Sequence, residues 1–454
     1  IFALSHPNSG FFSGVDLILR APQTVSGDAR YTAGGDFRIE QLDGSPGNLF
    51  SPYDPIIRAA GDVSFSSYTG ASLHIIAGGS VTVSGAIAIT GADPANSINE
   101  TILLSDGTSV VVNGSVQPTL DVRAGVSAEA IGTSLTPVGT PLPTDLVSTP
   151  TPASNADISI GSIQVLAPDG LVYLSTQYNP RSADASSNIA VGTGIVTTPT
   201  TGGNASSITI DSRGSFTAGG SLDATATDGA IDGTIDGSRT GGNITVLAQD
   251  NIDIQGDILT SSSGGSGGNV ALNSQLGDLS LAGSVTTNGG STLFSSPINA
   301  GNISIVAQQA VSLGNLAAIA GIGGQGGSVT VVSQEGAVQV QDIQASSTDG
   351  DGGEITVFAL EDVITQALNT SVVGSGRGGN IILNSTNGAI NTSAGALNSS
   401  GGRGGNVSVN AATNILSGSV TTDGSLTSAN DGSPRSRAGR ITFVSEGGLS
   451  LIHI

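Results

Sequence analysis

The phrase GGNITV at Gly241–Val246 returns as GGNVAL (Gly267–Leu272), AGNISI (Ala300–Ile305), GGSVTV (Gly326–Val331), GGEITV (Gly352–Val357), GGNIIL (Gly378–Leu383), GGNVSV (Gly404–Val409) and AGRITF (Ala438–Phe443). Aligned on the third residue, the copies fall at 243, 269, 302, 328, 354, 380, 406 and 440, giving steps of 26, 33, 26, 26, 26, 26 and 34. Equal steps interrupted by two longer ones describe a repeat that tolerates loop insertions. Within each copy the aliphatic residues alternate, as in Ile244/Val246, Val270/Leu272 and Val329/Val331, with small residues such as Thr245, Ala271 and Thr330 between them. Period two with one small polar face is the pattern of a half-buried strand.

A second apolar pair follows nine or ten residues after each anchor, at Ile252/Ile254, Leu279/Leu281, Val311/Leu313 and Val338/Val340. A third, looser site follows at Ile258, Val285, Leu316 and Ile343. Three short strands per repeat cannot fold alone, but they bury their apolar faces if the chain winds into a coil and coils stack about 4.8 Å apart. The expected fold is therefore all-β, a parallel β-helix with about 18–26 residues per coil and loop or hairpin excursions. A β-sandwich lacks a fixed 26-residue step, and propeller blades need roughly 40 residues or more. The recurring Asn243, Asn269, Asn302, Asn380 and Asn406 are expected to form an amide ladder at one bend, and the glycine pairs before them to supply backbone with φ > 0.

Composition agrees. The 454 residues include 68 glycines and only 3% aromatics, a chain rich in turns and small β-formers. Formal net charge is −22, and all 13 basic residues are Arg, each nearly alone in sequence, which argues against a nucleic-acid partner. Zero Cys excludes a disulfide framework and thiolate metal sites. No stretch approaches the length of a membrane-spanning segment. The chain begins at Ile1, so a longer protein is expected, and the final LSLIHI (449–454) reads as in-frame translation of a sequencing adapter.

A related corner appears earlier, as AGGDFRI at Ala33, AAGDVSF at Ala59, AGGSVTV at Ala77 and AGGSLDA at Ala218. Asp36 to Asp62 is again 26 residues but Asp62 to Ser80 only 18, so a minimal coil is about 18 residues. The chain divides into a β-helical part (1–132), a Pro/Thr-rich surface loop (133–156) and a regular Gly-Gly-Asn array (157–448). Within the first part, ILLSDGTSVVVNGSV (102–116) has the Asp-Gly turn and apolar flanks of a protruding hairpin.

Catalytic constellations are thin. His6 and His74 are the histidines to consider, and His74 sits in the strand-like SLHIIAGG. The acidic run DGAIDGTIDG places Asp228, Asp232 and Asp236 at four-residue steps, which turn chemistry explains as well as a polysaccharide lyase or hydrolase does. The stretch STDGDGGE offers Asp349, Asp351 and Glu354 as weak calcium ligands, although it does not follow the nonapeptide calcium repeat. The reading assigns no catalytic residue and no cofactor other than that calcium candidate.

The stretch VDLILRAPQTVSGDARYTAGGDFRIEQLDGSPGNLFSPYDPIIRAAGDVSFSSYTGASLHIIAGGSVTV (15–83), followed by LSDGTSVVVNGSVQPTLDVRAG (104–125), resembles the large filamentous-haemagglutinin-like surface proteins common in cyanobacteria. The resemblance is specific over residues 12–126 and generic over the array. It implies a right-handed β-helix exported by two-partner secretion through an outer-membrane barrel transporter, and a role in adhesion or the cell envelope. The Asn-Pro-Asn motifs of that family's secretion domain are not recognisable here. The expectation is thus a secreted, cell-surface-associated adhesin that binds surfaces, glycans or other cells. The alternatives are a polysaccharide-active β-helix enzyme or a structural sheath component.

Overall fold

The computed structural model describes residues 10–53, 55–94, 98–127, 155–178, 185–227, 239–290, 297–424 and 437–453. These residues form strands and turns with no helix, so none is long and apolar enough to cross a membrane as one. The coils group into two compact units, one built mainly from residues up to Leu222 and the other from Asp223 onward, with Thr245–Asp250 counted in the first and Gly202–Asn204 in the second. Residues 157–201 and 205–222, expected to belong to the array, lie in the first unit. His6, most of the proline-rich loop and the run containing Asp228, Asp232 and Asp236 lie outside the described residues.

In the second unit the predicted winding is present strand for strand. Val270–Ser274, Ile303–Ala307, Val329–Ser333, Ile355–Ala359, Ile381–Ser385, Val407–Ala411 and Ile441–Ser445 pair in parallel, each with the next, as the first face of the coil. A second face starts at Ile252–Ile254 and Leu279–Leu281, and a third at Ile258–Leu259 and Val285–Thr286. The register puts like on like: Val270 pairs with Ile303, then Val329, Ile355, Ile381 and Val407. All six are buried. Each such side chain contributes about 1.5–3 kcal/mol of burial, and a column of β-branched residues packs without the gaps that aromatics would leave. The backbone of Ser450–His453, in the segment read as adapter translation, pairs in parallel with Ile415–Thr421.

The first unit winds the same way with less regular spacing. Its first face runs through Gly10–Ser13, Arg30–Ala33, Ile56–Ala59, Leu73–Ala77, Thr119–Arg123, Leu171–Ser175 and Ser207–Ser212. The strands Val81–Gly91 and Ile158–Val165 continue through a corner, with a register shift between Val83 and Ala86, so the second and third faces merge there. The minimal coil is visible where Ser80 N–H donates to Asp62 Oδ1 across a step of 18 residues.

Two details of the corner differ from expectation. The Asn column is not a ladder of paired side-chain amides. Each Oδ1 accepts the backbone N–H of the equivalent residue one coil on: Asn243 from Asn269 (2.8 Å), Asn269 from Asn302 (2.8 Å), Asn302 from Ser328 (2.9 Å) and Asn380 from Asn406 (3.0 Å). The side chain thus supplies an acceptor where the ladder turns and backbone carbonyls point away, which is the same work an Asx cap does. Asp serves equally, and Asp16, Asp36 and Asp62 do this at the corner between first and second faces. Unlike Gly202 and Gly203, the glycine pairs of the repeated phrase from Gly241 onward are not at positive φ. They are glycine because the coils touch backbone to backbone: a Cβ on Gly379 would strike the carbonyl of Gly353, and one on Gly405 the carbonyl of Gly379.

Candidate functional site

Two places combine polar chemistry with shape. The first is on the outer side of the first unit's first face. Strand side chains alternate in and out, yet Leu73–Ala77, Thr119–Arg123 and Leu171–Ser175 are buried at every position. Their outward side is covered by a hairpin, Asn99–Leu103 paired antiparallel with Ser109–Asn113. Gly107 at its tip has φ +85, the left-handed conformation that Asp-Gly turns provide. The hairpin was expected to protrude from residue 102. It starts at Asn99 and lies down on the sheet, where Ile102, Leu104 and Val112 pack with Ile56, Leu171 and Tyr173.

Beneath it sits a buried ionic network. Arg123 grips both oxygens of Asp121 (Nε–Oδ1 2.8 Å, Nη2–Oδ2 2.7 Å) and reaches Glu100 on the hairpin (Nη1–Oε2 2.9 Å). His74 Nδ1 lies 2.9 Å from Asp121 Oδ2. Burial alone would raise the Asp121 pKa, but the Arg123 charge and the His74 contact outweigh it and hold the carboxyl below its ordinary range. For Arg123 burial is likewise outweighed, by Asp121, so its pKa is raised. Asp211 accepts from Ser105 Oγ (2.7 Å), Ser105 N (2.9 Å) and Gln177 Nε2 (2.8 Å), yet burial dominates and pushes its pKa up. His74, Asp121 and Arg123 are fully enclosed. The arrangement therefore joins hairpin to coil and presents no reacting atom to solvent.

The second place is the third corner of the second unit, where each repeat's additional residues leave the coil. A neck closes these excursions: Thr260 Oγ1 donates to the Gly268 carbonyl (2.6 Å) and Thr370 Oγ1 to that of Gly379 (2.7 Å), while at the alanine positions the Gly327 and Gly353 N–H groups donate to the carbonyls of Ala318 and Ala345. Beside the necks runs a groove of about 870 Å³ with glycine pairs on its floor and Asp351, Glu354, Arg377, Arg403 and Arg437 among its lining residues. Backbone bonds fix the register, since Gly326, Gly352, Gly378 and Gly404 donate in turn to the carbonyls of Asp351, Arg377, Arg403 and Arg437. Four successive coils therefore place Asp, Arg, Arg and Arg in one column. Arg377 and Arg403 are isolated in sequence, and Arg437 lies between Arg435 and Arg440, yet the three of the column are adjacent in space. Sequence reading missed them because 26 and 34 residues separate them, although those are the repeat's own steps.

Two of the calcium candidates, Asp351 and Glu354, line one end of this groove, and Asp349 does not line it. Asp351 Oδ1 accepts the Arg377 N–H (2.8 Å), and Glu354 Oε2 accepts from Asn380 Nδ2 (3.2 Å). Asp349, Asp351 and Glu354 are exposed. Among the described residues no three His, Asp or Glu side chains converge closely enough to hold a metal ion. No family model, curated protein or solved structure matches the chain.

Proposed function

We propose that the chain is part of a secreted, cell-surface-associated β-helical adhesin that extends loops and binds glycans, surfaces or other cells. The observation that carries this reading is the division of labour around each coil of the second unit. Inward positions are aliphatic, outward strand positions are mixed, with Thr330, Ser304 and Asn410 beside Val332 and Phe358, and the additional residues leave at one corner, where the groove lies. Such a scaffold presents recognition groups along an edge and leaves the core undisturbed when loops change. The sequence resemblance over residues 12–126 supports the same role, with export through an outer-membrane barrel transporter as the partner it implies.

The test is to incubate purified protein with a glycan panel and with whole cells. Retention without cleavage is the expected result. Release of oligosaccharides would replace the adhesin with a polysaccharide-active enzyme. Filament formation with no retention would replace it with a sheath component.

A further inference from the structure

We propose that the groove at the third corner binds a linear acidic polysaccharide, with the guanidinium groups of Arg377, Arg403 and Arg437 each meeting one anionic group along the chain. This names a ligand class for the adhesin reading and rests on it. Among the described residues no carboxylate lies within ion-pair distance of any of these arginines. All three are exposed on a chain whose net charge is −22, so three stacked cations stand out against their surroundings. Guanidinium is a planar fork that takes carboxylate or sulfate oxygens in pairs, and an oxyanion between neighbours relieves their mutual repulsion.

Spacing selects the polymer. Coils repeat every ~4.8 Å, close to the rise of one pyranose unit in an extended chain, so a polymer with one acidic group per sugar matches the charge density of the column, and the long arginine side chains reach groups that successive sugars turn to different sides. No aromatic side chain lines the groove to stack a base. Asp351 and Glu354, at the other end of the groove from Arg437, offer acceptors to sugar hydroxyls. The glycine floor adds access: Gly378/Gly379 and Gly404/Gly405 carry no side chain between ligand and backbone.

The experiment measures binding of the whole chain to polygalacturonate, a sulfated galactan, neutral dextran and double-stranded DNA at two salt concentrations. The expected result is salt-sensitive binding to one or both acidic polysaccharides, the two arms separating carboxylate from sulfate, with none to dextran. Arg377→Gln/Arg403→Gln should weaken it about tenfold. Arg20→Gln/Arg38→Gln, which removes the same charge from the first unit, should leave it unchanged. Circular dichroism establishes that both variants fold. Equal loss in both double variants, no loss in the first, or DNA binding as tight as the polysaccharide's would overturn the site. Binding to neutral glycans alone would overturn the site and leave the adhesin standing, whereas no binding to any glycan or cell would remove both.

Discussion

Three arginines of the first unit meet carboxylates, whereas three of the second stack in one column. Arg20 lies 2.6 Å from Glu40, Arg38 2.8 Å from Asp16, and Arg123 2.7 Å from Asp121. Arg377, Arg403 and Arg437 have no such neighbour among the described residues and share one groove. The same winding produces both outcomes, because stacking copies a position's chemistry from coil to coil at a fixed interval. Where opposite charges fall side by side the structure closes on itself, and a hairpin can be pinned over the result. Where like charges fall side by side the neutralising partner has to come from outside. Surface function in such a scaffold is thus written in columns.

What the two units share should fail alike. Val331→Asp and Val122→Asp each place a carboxylate in a fully buried column, and each should cost about 4 kcal/mol or more, since no partner is within reach. Urea melts of the two variants check this. A loss in only one would mean that the units do not have equivalent cores.

Next in size comes the clasp. Arg123→Met leaves the Asp121 and Glu100 carboxylates without their cation and should cost about 3–5 kcal/mol. Hydrogen exchange should show amides of 99–113 losing protection first, because the Arg123–Glu100 ion pair joins the hairpin to the coil. Its two buried carboxylates should respond to pH with opposite sign. Asp121 has a lowered folded pKa, so its stabilisation is present above the unfolded value of about 3.9 and is lost as pH falls through the folded value. Asp211 has a raised folded pKa, so its ionised form costs stability, and that cost disappears as pH falls through the folded value. Accordingly Asp121→Asn should lower the neutral-pH Tm, at about 1–3 kcal/mol, whereas Asp211→Asn should hold or raise it. Matching losses would mean that burial does not govern Asp211.

The windings were legible in the sequence because a parallel coil needs aliphatics at two-residue spacing in every layer, and Ile244, Val270 and Ile303 announce it. The three-strand coil and its 18-residue minimum followed from spacing alone. The origin of the glycine pairs did not, because a need for positive φ and a need for close backbone approach select the same residue. The hairpin's strands were visible but not its destination. That information sits in Leu73–Ala77, Thr119–Arg123 and Leu171–Ser175, where His74, Asp121 and Tyr173 occupy outward positions that a solvated strand would give to Thr or Ser. The groove was hidden for a different reason. A column is a relation between residues one repeat apart, and composition counts each Arg once, in its own neighbourhood.

The smallest effect separates a ligand site from a structural one. If Arg403 served the fold, Arg403→Ala would destabilise it as Arg123→Met does. It sits instead between Arg377 and Arg437, one coil from each. Unit charges 4 Å apart repel by about 1 kcal/mol in water, and physiological salt, with a screening length of about 8 Å, reduces that further. Removing the middle charge should therefore change stability by no more than about 0.5 kcal/mol, and in the stabilising direction at low salt. Raising salt should erase the gain, because screening already relieves the wild-type column. Thermal melts of wild type and Arg403→Ala at low and physiological ionic strength measure this difference. A clear loss at both would show that the column holds the coils together and that its guanidiniums are not held in reserve for a ligand.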